Sequence, residues 1–189
     1  GIARGRSLAA VEYQGGVALV AENASSSLRK VSEIYDRIAF GGVGRYNEFD
    51  QLRIAGVRYA ELKGYQYSRD DVDARSLANQ YAQMLGQIFT HEMKPMEVEI
   101  VVAEIDREGD AELYRIQYDG TVVDEQNWCC IGGDSGAVLE RLSDGWSADL
   151  ERDGAVRLAV ESLAGPDRSM SAGDLEVATL DIDIGRRCF

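Results

Sequence analysis

Two short apolar runs near the start narrow the fold most. Leu8 to Tyr13 and Val17 to Ala21 lie either side of Gln14-Gly15-Gly16. A glycine-containing link this short joins neighbouring antiparallel strands. A Ser-rich turn follows, then two more short runs, one introduced by Lys30 and one from Ile38 to Val43.

After Gly44 the period changes. Tyr46, Phe49, Leu52, Gly56, Tyr59 and Ala60 recur at three- and four-residue spacing, which predicts an amphipathic helix with Gly64 placed to end it. Ser68-Arg-Asp-Asp71 offers a cap with acids in the first turn. Ala74, Leu77, Ala78, Tyr81, Leu85, Ile88 and Phe89 form the clearest helical stripe, stopped by Lys94-Pro95. Strands return at Val98 to Ile105, at Tyr114-Ile116-Tyr118 with their alternating neighbours, at Thr121 to Asp124 after Asp119-Gly120, and at Trp128 to Ile131. Val138, Leu139 and Leu142 fit a third helix. Val156, Ala159, Val160 and Leu163 fit a fourth, ended by Gly165-Pro166, and Leu175 to Ile182 reads as a last strand. Periodicity alone gives an α+β domain.

With 189 residues the chain can bury one sizeable core. No run of about eighteen apolar residues occurs, so no membrane span is expected. The net charge of −13 argues against a nucleic-acid partner, which needs a basic surface. Cys129 and Cys130 are adjacent, so in a strand they point to opposite faces and cannot share one metal. With Cys188 they suggest a reduced, cytoplasmic setting.

Several strings invite a chemical reading. Gly133-Asp134-Ser135-Gly136 matches the nucleophile string of chymotrypsin-like proteases, but those need a histidine base held by an aspartate. The single histidine, His91, ends a strong helix beside Glu92, and Asp134 or Ser135 reads more simply as a helix cap. Gly41-Gly42-Val43-Gly44 lacks the spacing and the Lys-Ser/Thr of a phosphate loop and reads as close packing at a strand end. Asp70-Asp71 and Asp181/Asp183 lack further oxygen ligands nearby. No metal or cofactor is expected.

The segments Gly1-Ile-Ala-Arg-Gly-Arg-Ser7, Gly16-Val-Ala-Leu-Val-Ala-Glu22-Asn23, Leu28-Arg-Lys30-Val-Ser-Glu-Ile-Tyr-Asp-Arg37, Gly44-Arg-Tyr-Asn-Glu-Phe-Asp-Gln-Leu-Arg53 and Ser76-Leu-Ala-Asn-Gln-Tyr-Ala-Gln83 come in order, followed by Leu113-Tyr-Arg-Ile116 and Tyr118-Asp-Gly120. Together they resemble the α-subunits of the actinobacterial 20S proteasome core, non-catalytic members of the proteasome branch of the Ntn hydrolases. The match is dense to about Gly133 and thinner beyond. It implies a four-layer αββα sandwich over residues 1–189, a single α-type subunit domain.

The resemblance also implies roles. Catalytic β-subunits cut with an amino-terminal threonine activated by its own α-amine. Aligned on Gly16-Val17, that position falls on Arg6, which has no nucleophilic oxygen. Thr90, Thr121 and Thr179 are the only threonines. The alternative is a self-active amino-terminal-nucleophile hydrolase using a processed Ser7. Lys30 by itself could be a sheet-end lysine pairing with Glu33 or Asp36. The resemblance instead places it between neighbouring protomers, reading the terminal carboxylate of an activator tail, with backbone near Gly5, Gly44 and Arg45 completing the pocket. Tyr46 and Phe49 are ring-interface candidates, or core.

The expected partners are proteasome β-subunits, neighbouring α-subunits in a heptameric ring, an AAA ring ATPase or other activator, and unfolded protein substrate. Family α-subunits carry an additional amino-terminal segment that closes the axial pore. The chain begins about where its helix ends, so the gate is not among these residues. The tail Arg186-Arg-Cys-Phe189 has no assigned role.

Overall fold

A computed structural model describes residues 7–23, 28–35, 37–67, 72–92, 94, 96–106, 108–133, 135–166 and 168–182, and the backbone of 186–188. The first hairpin forms as expected. β1, Leu8–Tyr13, pairs antiparallel with β2, Gly16–Glu22, across a turn in which Gly15 takes φ 80°. β3, Val31–Tyr35, and β4, Ile38–Gly44, form the second hairpin. Two helices follow, α1, Tyr46–Gln66, and α2, Ala74–His91. β5, Val98–Ile105, β6, Ala111–Ile116, β7, Val122–Glu125, and β8, Trp128–Ile131, come next. The described chain closes with α3, Ser135–Gly145, α4, Arg152–Ala164, β9, Leu175–Asp181, and β10, Arg186–Cys188.

The strands make two antiparallel sheets, ordered β10-β9-β2-β1-β8 and β3-β4-β5-β6-β7. Their residues alternate between two apolar environments, which is why the runs look almost continuously apolar. Leu8, Ala10, Val17 and Leu19 meet Val101, Ala103 and Leu113 between the sheets. Ala9, Val11, Ala18 and Val20 face α3 and α4 on one outer side, through Val138, Leu142, Ala155 and Ala159. Ile38, Phe40, Ile100 and Val102 face α1 and α2 on the other, through Leu52, Leu77, Tyr81 and Leu85. These are the four layers of an αββα sandwich. Cys129 joins the inter-sheet core and Cys130 the helix-facing one, so the adjacent cysteines do point opposite ways.

Local details differ from the sequence reading. Gly64 does not end α1. It lies inside the helix, where a Cβ would stand 2.2 Å from the Tyr35 hydroxyl. That close approach is what the glycine serves. The N-cap of α2 is Asp73, whose carboxylate accepts the Ser76 amide at 2.8 Å. Residues 68–71 lie outside the described set. Tyr118 sits in a turn and is exposed, as is Phe89, and the two rings meet edge to face at 5.6 Å. Arg186–Cys188 form an edge strand on β9 that the sequence did not suggest.

Candidate functional site

The end of β2, the start of β3 and the end of β4 converge at one edge of the sandwich. Lys30 stands there, half-buried. Its carbonyl accepts the Gly42 amide at 2.9 Å, which sets it two residues before Gly44 on the neighbouring strand. Its ammonium donates to the Glu22 carbonyl at 3.1 Å. The Glu22 amide in turn donates to the Ser7 carbonyl at 3.1 Å. Lys30 is therefore joined, through the end of β2, to the segment that follows Arg6. Gly5 and Arg6 themselves fall outside the described residues, and so does Asp36.

Glu176 on β9 holds this corner. One of its carboxylate oxygens accepts the Lys30 amide at 2.8 Å and the Asn23 side-chain amide at 2.9 Å. The other accepts the Val31 amide at 2.9 Å. Arg29 adds an ion pair at 3.5 Å. A carboxylate accepting several N–H groups is a strong, charge-assisted anchor. The sequence reading passed over Glu176. Its signal was position: it shares a strand face with Ala178 and Leu180, which belong to the inter-sheet core. A charge at such a place calls for donors.

Gly44 and Arg45 share this edge. Gly44 takes φ 113°, and a Cβ there would lie 2.0 Å from the Glu97 carbonyl oxygen. The resemblance has glycine here admit a foreign backbone. In the fold its freedom also makes room for Glu97 of the same chain. Arg45 donates to that carbonyl through its amide, at 3.2 Å, and to the Glu97 carboxylate through its guanidinium, at 3.0 Å. Its side chain remains about half exposed, at 52%. Gly41 and Gly42 are also close-packing glycines: a Cβ on the first would meet Leu8 at 2.8 Å and on the second Phe49 at 3.0 Å.

The two ring-interface candidates separate. Phe49 is 3% exposed and belongs to the core under α1 and α2, the core alternative of its two readings. Tyr46 is half-buried and packs edge to face on Phe49 at 5.0 Å. Larger apolar exposure lies at the far end of α1, where Leu62, Tyr65 and Tyr67 are 57%, 90% and 72% exposed.

The sequence's other candidate nucleophiles are Ser7 and Ser135. Ser7 is buried and extends the hairpin ladder through its carbonyl. Ser135 opens α3, packed outside one sheet, whereas His91 ends α2, outside the other. Both sheets separate the two helices, so they cannot form a dyad. Asp134 lies outside the described residues. Asp181 accepts the Tyr13 hydroxyl at 3.1 Å. Asp106, Glu108 and Asp110 are the carboxylate cluster among the described residues. Asp106 uses its carboxylate on the amides of Glu108 and Asp110, at 3.0 and 2.9 Å, which makes it a turn former.

The family profile described as "Proteasome subunit" matches residues 2–180. A protein named "Proteasome subunit alpha" from Acidimicrobium ferrooxidans is 56% identical, over all of this chain and 82% of its own length. One of the same name from Xylanimonas cellulosilytica is 51% identical over all of this chain and 82% of its length. Another, from Saccharopolyspora erythraea, is 52% identical over 96% of this chain and 72% of its length.

Proposed function

Because this chain belongs to the proteasome subunit family and is of its non-catalytic α type, with proteolysis carried out by β-subunits, we propose that its Lys30 corner is the pocket that captures an activator's carboxylate terminus. β-subunits and other α-subunits are its partners. On this reading, α-subunits close into heptameric outer rings through which unfolded substrate passes to the β-subunits. An AAA ring ATPase or another activator docks on them by its tail, in the cytoplasm.

The observation that carries the pocket is the convergence at one edge of a cation, Lys30, with the exposed residues Gly44 and Arg45. A lysine ammonium is a compact charge with three donors, and its bond to the Glu22 carbonyl aims it along this edge. Such a charge suits a carboxylate. On this reading the backbone near Gly5 belongs to the same pocket. For ring contact, Leu62, Tyr65 and Tyr67 join the half-buried Tyr46 as candidates, since exposed aromatic side chains supply interface anchors.

The test is Lys30→Ala in a core particle assembled with its β-subunits. Activator-stimulated protein degradation should fall to near the unstimulated level, while hydrolysis of small peptides by the β-subunits is unchanged. Full stimulation in the variant would remove the pocket from Lys30.

A further inference from the structure

Glu176 does more than fill a register position. Its side chain is 9% exposed, and among the described residues it accepts from a set of donors: the Lys30 and Val31 amides, the Asn23 side-chain amide and the Arg29 guanidinium. Asn23 uses the same nitrogen on the Leu28 carbonyl at 2.7 Å, tying the two ends of the loop between β2 and β3 to Glu176. Through these bonds a residue of one sheet fixes where the first strand of the other sheet begins. The Lys30 main chain is then held on both sides, its amide by Glu176 and its carbonyl by Gly42. The ammonium donates to the Glu22 carbonyl, so main chain and side chain are both anchored.

We propose that Glu176 is the positioning residue of the Lys30 pocket, setting its selectivity for a free terminal carboxylate. The inference rests on the pocket reading above. The chemistry asks for a carboxylate in particular. A glutamine offers one acceptor and two donors, so one of its ends would oppose an N–H. The start of β3 would then shift, and the ammonium with it. A charge-assisted contact to a ligand carboxylate falls off quickly when its geometry is lost.

The experiment uses core particles assembled with β-subunits and two synthetic hexapeptides copied from the carboxy terminus of the host's proteasomal ring ATPase. One ends in a free carboxylate and the other in an amide. The readout is the ratio of their affinities. Glu176→Gln should lower that ratio by about tenfold, the cost of a lost contact to a charged group, with the amidated peptide almost unaffected. Glu176→Asp should restore part of it. An unchanged ratio, or equal weakening of both peptides, would overturn the proposal. If Glu176→Gln does not enter the particle, the ratio is read on Glu176→Asp, where a wild-type value contradicts the proposal. Lys30→Ala is the reference arm. A ratio it leaves untouched would sink the pocket reading itself, whereas a ratio lost in Lys30→Ala but kept in Glu176→Gln would sink only the role of Glu176.

Discussion

The ammonium of Lys30 donates to the main-chain carbonyl of Glu22 at 3.1 Å, so the lysine closes the mouth of the β1–β2 hairpin as well as facing its edge. This bond is made by a half-buried side chain to a backbone oxygen. Its net contribution should be about 1 kcal/mol. Lys30→Met should therefore fold, with its urea midpoint lowered only slightly. A loss of function in Lys30 variants can then be separated from unfolding.

Tyr81 and Gly56 are coupled. The Tyr81 hydroxyl donates to the Leu52 carbonyl at 2.7 Å and lies 1.9 Å from where a Cβ on Gly56 would stand. Tyr81→Phe should cost about 1 kcal/mol for the bond. Gly56→Ala should cost about 2 to 3 kcal/mol by overpacking two helices. The double variant should be less unstable than the sum, because the hydroxyl that clashes is gone. Urea denaturation of the three variants measures the cycle, and strict additivity would contradict the contact.

Glu104 gives stability a pH dependence. It is 8% exposed on β5 and accepts the amide of Ala74, the first residue of α2, at 3.0 Å. Burial raises its pKa to about 7. The Ala74 bond opposes the rise, and the charges of Glu112, Asp73 and Asp106 add to it. The folded state thus holds a proton that the unfolded chain has released, so stability falls as pH rises from about 4.5 to about 7. Glu104→Gln keeps an acceptor for Ala74 and removes the charge. It should be more stable than wild type at pH 8, by up to about 3 kcal/mol, and flatten the profile between pH 5 and 7. Thermal unfolding across that range checks it.

Cys129 and Cys130 should resist thiol reagents. Both are buried, on opposite faces of β8, and burial pushes the Cys129 thiol far above its ordinary range. In a Cys188→Ser background, iodoacetamide should label neither in the native protein and both in denaturant. Labelling of either without unfolding would contradict their placement.

The layer order was legible in the sequence because apolar period reports burial directly. Val98 to Ile105 and the stripe from Ala74 to Leu85 appear where the spacing put them. Single-residue roles were less legible. Gly64 looks like a helix stop, yet serves the approach of Tyr35 from a distant strand. Phe49 has the composition of an interface anchor but the burial of a core residue. Lys30 could be singled out by resemblance, whereas its partner Glu176 lies 146 residues away, and only the register of β9 against β2 brings them together. Long-range pairing of this kind leaves no local pattern.

The most direct measurement is a titration of assembled core particles, wild type and Lys30→Ala, with the carboxylate-ended tail peptide of the ring ATPase. The expected result is binding by wild type and an affinity lower by about tenfold or more in the variant, with particle size unchanged. Equal affinities for the two particles would contradict the account.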